Sequence, residues 1–149
     1  MTPEKMGQLH AAAFSPQRGW SADEFRSLCA SPLVQCYFDA QGFALTRTIA
    51  DESELLTLAV DPNHRRQGIA GNLITEWLGR TTAQTAFLEV AADNAAAHAL
   101  YAKYGFAETG RRKGYYQRIG GHSVDAVLMQ AAVTRRQTCK TTGQAPKTG

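Results

Sequence analysis

Long apolar runs are missing from this 149-residue sequence. No stretch approaches the ~18 apolar residues that a membrane-spanning helix needs, so no membrane association is expected. The opening residues, MTPEKMGQLH, lack a basic start followed by an apolar stretch, and no secretory signal is read there. A cytoplasmic setting is the resulting expectation. Cysteine is scarce: Cys29, Cys36 and Cys139 are odd in number and show no metal-ligand spacing. Free or buried thiols are expected, with no disulfide framework and no metal site. The common nucleotide loops are also absent. No Gly-Lys-Ser/Thr follows a glycine-rich turn, and no Gly-x-Gly-x-x-Gly precedes an acidic ribose ligand.

What is present suits one globular domain. The length falls within the usual single-domain range, and 44% hydrophobic against 19% charged residues excludes wholesale disorder. The formal net charge is +3, which invites a nucleic-acid reading. Its location argues otherwise. Residues 134–149 hold Arg135, Arg136, Lys140 and Lys147 and no acid, so the excess belongs to the tail. The expected organisation is a folded domain over 1–133 and a basic, disordered tail over 134–149, with no specific nucleic-acid partner.

Hydrophobic periodicity predicts helices over 3–14 and 21–30, the second opened by a capping box of Ser21 and Glu24. Strands are predicted over 34–40 and 43–50, joined by a turn, and over 54–60. A helix follows over 68–80, a strand over 86–90, a helix over 94–103 ending at Gly105, a strand over 106–109, a loop over 111–121 and a last strand over 123–129. This order predicts an α/β domain with a single mixed central sheet flanked by helices.

The most informative segment is Leu56-Thr-Leu-Ala-Val-Asp-Pro-Asn-His-Arg-Arg-Gln-Gly-Ile-Ala-Gly71. A strand runs into a loop with two arginines, which opens a helix. A helix N-terminus presents unpaired amides and partial positive charge, a ready anion site. Gly68 and Ala70 allow close approach, and Arg65 and Arg66 add donors. A diphosphate fits that chemistry; a solvated basic turn fits the segment alone equally well.

Arg65-Arg-Gln-Gly68-Ile-Ala70 resembles the Arg/Gln-x-x-Gly-x-Gly/Ala signature of the GCN5-related N-acetyltransferases (GNAT). Further blocks are similar to its ribosomal-protein-alanine acetyltransferase branch: Leu56 to Pro62, Leu88-Glu-Val90, Asp93 to Ala97, Ala99-Leu-Tyr101, Gly105-Phe106, Gly114-Tyr-Tyr116 and Asp125-Ala126. The resemblance covers about residues 1–130. It implies a mostly antiparallel sheet, acetyl-CoA as the acetyl-donor co-substrate, and a protein N-terminus as acceptor, in this branch the N-terminal alanine of a small-subunit ribosomal protein. Arg65, Arg66, Gln67, Gly68, Ile69, Ala70 and Gly71 would hold the pyrophosphate. Leu58, Ala59 and Val60 would bond the pantetheine arm through their backbone, and Asn94 would contact the CoA arm. The branch usually carries Arg where this chain has Ala91.

Aminolysis of a thioester needs a base for the amine and an acid for the thiolate. Glu89 lies in the apolar stretch Ala86-Phe-Leu-Glu-Val90, where desolvation would disfavour a bare carboxylate; resemblance aligns it with the general base, acting through water. Taken alone, a solvent-facing strand Glu is the simpler reading. Resemblance aligns Tyr101 with the general acid. Asn94, Ala97, His98 and Tyr101 share one helix face by their spacing. Trp20, Tyr115 and Tyr116 align with walls of the acceptor groove, the two tyrosines within the 111–121 loop. Simple packing is the competing reading for the two tyrosines, a core aromatic for Tyr101, and a helix cap for Asn94. His98 is read as a surface residue, His64 as lining the loop, and Trp77 as core. Two alternatives stay open: an acetyltransferase acting on a small amine or lysine side chain, and a non-catalytic CoA-binding module.

Overall fold

The computed structural model describes residues 1–133; the tail expected to be disordered lies outside the described residues. Helix α1 (Pro3–Phe14) begins after Thr2, whose hydroxyl accepts from the Lys5 amide. Helix α2 (Ala22–Cys29) begins at the expected capping box. The Glu24 amide donates to Ser21 Oγ, and the Ser21 amide donates to Glu24 Oε1. Strands β1 (Val34–Asp39) and β2 (Gly42–Ile49) form the hairpin, and β3 (Glu52–Val60) follows. A 3₁₀ turn (Pro62–His64) leads to α3 (Ile69–Arg80). Then come β4 (Thr85–Ala91), α4 (Ala95–Lys103), β5 (Ala107–Gln117) and β6 (Ser123–Ala132). Helix α4 stops where Gly105 takes a φ of 95°, a conformation that favours glycine.

The strands stand in the order β1-β2-β3-β4-β6-β5. Only β3 and β4 are parallel, joined by the α3 crossover; the other neighbours are antiparallel. This is the mixed, mostly antiparallel sheet expected. Its two faces carry separate cores. Met6, Leu9 and Phe25 from α1 and α2 pack with Phe43, Leu45 and Ala59. Leu73, Ile74 and Trp77 of α3 and Tyr101 of α4 pack with Ala44, Leu55, Leu88, Val127 and Met129. Trp77 is fully buried, as expected, and its indole N–H donates to Ser53 Oγ at 2.8 Å.

One expectation fails. Residues 111–117 are not loop: β5 runs through them, with Arg111, Arg112, Tyr116 and Gln117 opposite Val127, Ala126, Val124 and Ser123. The stretch Gly-Arg-Arg-Lys-Gly has no alternating apolar pattern because β5 is an edge strand and mostly exposed. Its strand character comes from the ladder with β6, a long-range partner that local propensity does not report.

The feature that positions the site is a short seam. β3 and β4 pair only as Glu52↔Thr85, Ser53↔Ala86 and Glu54↔Phe87. Next on β3 comes a bulge: Thr46 lies opposite Leu55, but Leu45 lies opposite Thr57. An extra residue on one strand bends it and raises its twist. Beyond the bulge β3 stays with β2, and β4 stays with β6. A wedge therefore opens between two parallel strands at their C-terminal ends, where open α/β sheets bind ligands.

Candidate active site

One wall of the wedge is the end of β3. The Asp61 amide donates to Gln41 O at 2.8 Å, and strand alternation then turns Ala59 toward β2 as well. Leu58 and Val60 consequently direct their N–H and C=O groups into the gap. Ala59 is buried in the core beneath α1 and α2, so its part in the wall is structural.

The loop after β3 ends at the N-terminus of α3. Arg66 and Gly68 both adopt positive φ, 63° and 80°. No side chain among the described residues caps α3, and the first intrahelical bond runs from the Asn72 amide to Gly68 O. The amides of Ile69, Ala70 and Gly71 precede that bond and stand ready for an anion. Among the described residues nothing lies within 4 Å of where a Cβ on Gly68 would sit, which leaves room for close approach. The individual residues divide the work. Arg65 donates to Ala13 O at 3.0 Å and ties the loop to α1. Arg66 and Gln67 are exposed, and Arg66 has no hydrogen-bond partner among the described residues. The side chain of Ile69 is buried, and Gly71 packs against Tyr104, whose hydroxyl occupies the space of a Cβ. Only the backbone amides of these two residues are offered at the start of α3. His64 lies near Asp61, 3.6 Å from nitrogen to carboxylate oxygen.

The other wall is β4. Leu88 and Val90 point into the core, and Glu89 projects from the opposite face. Glu89 is not sealed in apolar surroundings as the sequence suggested. Its side chain is 20% exposed, and Oε2 forms an ion pair with Arg112, 2.9 Å from Nε. The arginine arrives from β5, across β6. Beside Glu89 lies Tyr116, whose phenol is pushed up by burial and by the Glu89 charge. Tyr116 in turn acts on Tyr101, whose phenol is pushed up to about 12, first by burial and then by Tyr116. Glu89, Tyr116 and Tyr101 thus form one electrostatically connected group.

The second β5 irregularity builds this group. Between Arg112 and Tyr116, β5 takes two more residues than β6 does. Gly114 sits there with a φ of 59°, and its amide donates to Asp125 Oδ1 at 3.0 Å. The bulge sets the Tyr115 and Tyr116 rings edge to face, with centroids 5.1 Å apart. Arg112 lies over Tyr115 at 5.1 Å and Arg118 over Tyr116 at 5.5 Å. Arg118 also grips Asp93 with two hydrogen bonds, holding that carboxyl below its usual range. Asn94 caps α4, its Oδ1 accepting from the Ala97 amide at 3.1 Å; its amide nitrogen has no partner among the described residues.

Trp20 lies between α1 and α2 and is held by a residue that sequence reasoning missed. His10 is buried beneath stacked rings of Phe14 and Trp20, 4.1 and 5.0 Å away. The Trp20 amide donates to His10 Nδ1, and His10 Nε2 donates to Thr57 Oγ1, both at 2.9 Å. That pattern requires neutral imidazole, and burial holds its pKa at about 4. A usable signal existed: His10 stands four residues from both Met6 and Phe14, on the apolar stripe of α1. Arg112 was also missed. It is one of three consecutive basic residues, and only the strand phase of β5 distinguishes it.

Residues 5–106 match the model of the acetyltransferase (GNAT) family, and the chain belongs to that family. Its relatives include a narrower group. The chain is 39% identical over 95 residues to the ribosomal protein bS18–alanine N-acetyltransferase of Escherichia coli strain K12, a match covering 62% of this chain and 64% of that protein. The matched part is thus just under two thirds of that relative's length. Over 137 residues it is 34% identical to the N-alpha-acetyltransferase RimI of Mycobacterium tuberculosis, covering 85% of this chain and 84% of that one. The crystal structure of the ribosomal-protein-S18-alanine N-acetyltransferase from Escherichia coli superposes with a TM-score of 0.78 at 30% identity, covering 89% of this chain and 87% of that one.

Proposed function

We propose that this chain is an acetyl-CoA-dependent N-acetyltransferase that acts on protein α-amines. The observation that carries the reading is the wedge between β3 and β4. It has unpaired helix amides beyond one strand end and a carboxylate, Glu89, on the other strand. The names of the relatives support the finer assignment: the acceptor is the N-terminal alanine of a small-subunit ribosomal protein, met in the cytoplasm.

In this reading the α3 amides and exposed Arg66 hold the CoA pyrophosphate. Leu58 and Val60 bond the pantetheine arm as a missing strand would, and the Asn94 amide nitrogen adds a contact. Glu89, through a water molecule, takes the proton from the acceptor amine as nitrogen attacks the thioester carbon. The C–S bond breaks, and Tyr101 gives its proton to the departing thiolate. Trp20, Tyr115 and Tyr116 line the acceptor groove.

An α-amine suits this site better than lysine. Its pKa of about 7.7–8.0, against about 10.4 for a lysine side chain, leaves a sizeable neutral fraction near pH 7.5. A carboxylate already engaged by Arg112 then has little deprotonation left to drive. The test is mass spectrometry of peptides with varied N-termini incubated with the protein and acetyl-CoA. Acetylation of the α-amine of Ala-initiated peptides is expected. Transfer confined to lysine side chains or small amines, or binding of acetyl-CoA without any transfer, would defeat the proposal.

A further inference from the structure

We infer that Arg112 is a positioning residue for Glu89, fixing which carboxylate oxygen is offered to the acceptor. The inference rests on Glu89 serving as the base.

The placement of Arg112 is unusual among the arginines around it. Arg111 pairs with Glu108 on its own strand, and Arg118 pairs with Asp93. Arg112 instead reaches across β6 to β4. The register shows what permits this. Arg112 stands opposite Ala126 on β6, and Ala126 stands opposite Ala91 on β4. Residues directly opposite each other share a face, so Arg112 has only methyl groups in its row. Glu89 stands two residues before Ala91 on the same face of β4, so a long side chain leaving that row meets it diagonally. Gly110, before Arg112 on the same face, adds no side chain to the path.

The guanidinium is held from a second direction. Its carbon lies 5.1 Å from the Tyr115 ring centroid, and Tyr115 leans on Tyr116 through the bulge at Gly114. Cation and ring attract, so the arginine is fixed between a carboxylate and an aromatic face. Nε takes Oε2 of Glu89 at 2.9 Å. Oε1 has no protein partner among the described residues. One oxygen is therefore anchored and the other is free to accept a proton from water or amine. Anchoring the base in one orientation lowers the entropy lost on reaching the transition state.

The other charged groups nearby are paired among themselves. Arg111 and Asp125, 3.7 Å apart, belong to the opposite face of the sheet by the register, and Arg118 pairs with Asp93. Each of these is matched by its own partner, which leaves Arg112 as the cation of Glu89.

The experiment is steady-state kinetics on an Ala-initiated peptide with six proteins: wild type, Glu89→Gln, Arg112→Gln, Arg112→Lys, the Glu89→Gln/Arg112→Gln pair and Ala91→Leu. Arg112→Gln is expected to lower kcat about tenfold, with both KM values within about twofold, since a positioning role acts on turnover rather than binding. Arg112→Lys keeps the charge without the planar fork and should recover part of the loss. In the Glu89→Gln background, Arg112→Gln should add almost nothing, because coupled residues are non-additive. Ala91→Leu supplies a variant that leaves every charge in place; by crowding the row it should reproduce the kcat loss. A raised peptide KM at unchanged kcat would make Arg112 an acceptor contact and overturn the inference. Additive losses, or a faster Arg112→Gln enzyme, would overturn it too. Unchanged turnover in Glu89→Gln removes the base reading itself and this inference with it. A crippled Glu89→Gln beside a normal Arg112→Gln removes this inference alone.

Discussion

Glu89 and Tyr101 carry different amounts of structural support. Glu89 reaches solvent and holds a cation; Tyr101 is buried and has its phenol raised to about 12. Glu89→Gln is expected to lower kcat by about 10²–10⁴ while acetyl-CoA still binds with nearly its original affinity by calorimetry. Tyr101→Phe should slow turnover by a factor that stays constant from pH 6 to pH 10, because the phenol remains protonated throughout. A factor that shrinks toward one near pH 10 would mean that Tyr101 ionises at its ordinary value and has been misplaced as the acid. Sequence showed these two residues only through resemblance. A glutamate in an apolar strand looks alike whether it faces solvent or a cleft. The partner of Glu89 was invisible because Arg112 is 23 positions away and two strands over, a distance bridged only by the β4-β6-β5 ladder.

Helices and strands were more legible. Capping at Ser21, the α3 stripe and the glycine stop after α4 are local signals, and each lies where physical rules put it. β5 beyond Gly110 was not, because an exposed edge strand carries no apolar alternation. The packing of α1 offers a test independent of chemistry. His10 has its pKa lowered to about 4 in the fold, against 6.5 when exposed. The unfolded chain therefore binds a proton first as pH falls. The stability that neutral His10 contributes is complete above pH 6.5 and is lost progressively down to pH 4, up to about 3 kcal/mol. Urea denaturation at pH 7 and pH 4.5 measures it, and His10→Phe should flatten much of the difference between the two. Gly71→Ala gives a second measure, for α3 against Tyr104. The added methyl meets the Tyr104 hydroxyl, and overpacking of this kind costs about 1–3 kcal/mol. A variant as stable as wild type in thermal melts would show that the tyrosine moves aside freely.

The chain as a polyelectrolyte divides unevenly. The basic excess noted at the outset lies in residues 134–149, and the remainder is close to neutral. We propose that residues 1–133 form the whole catalytic unit. A chain ending at Val133 should acetylate a short peptide at the full-length rate. A several-fold loss would place part of the site in the tail. Salt dependence gives a companion reading, since weakened binding to a large acidic partner at raised ionic strength would be confined to the full-length chain.

The three-pair seam between β3 and β4 has a mechanical meaning. It divides the sheet into two panels, β1-β2-β3 and β4-β6-β5, hinged along one short line and open on the far side. A donor molecule whose arm lies along β3 and whose head reaches the β4 side acts as a splint across that hinge. Occupancy and rigidity then become the same variable. At a hundred times its Kd, such a ligand adds about 2.7 kcal/mol to unfolding. Amide exchange should slow in both panels together, including residues of β6 that the ligand never touches.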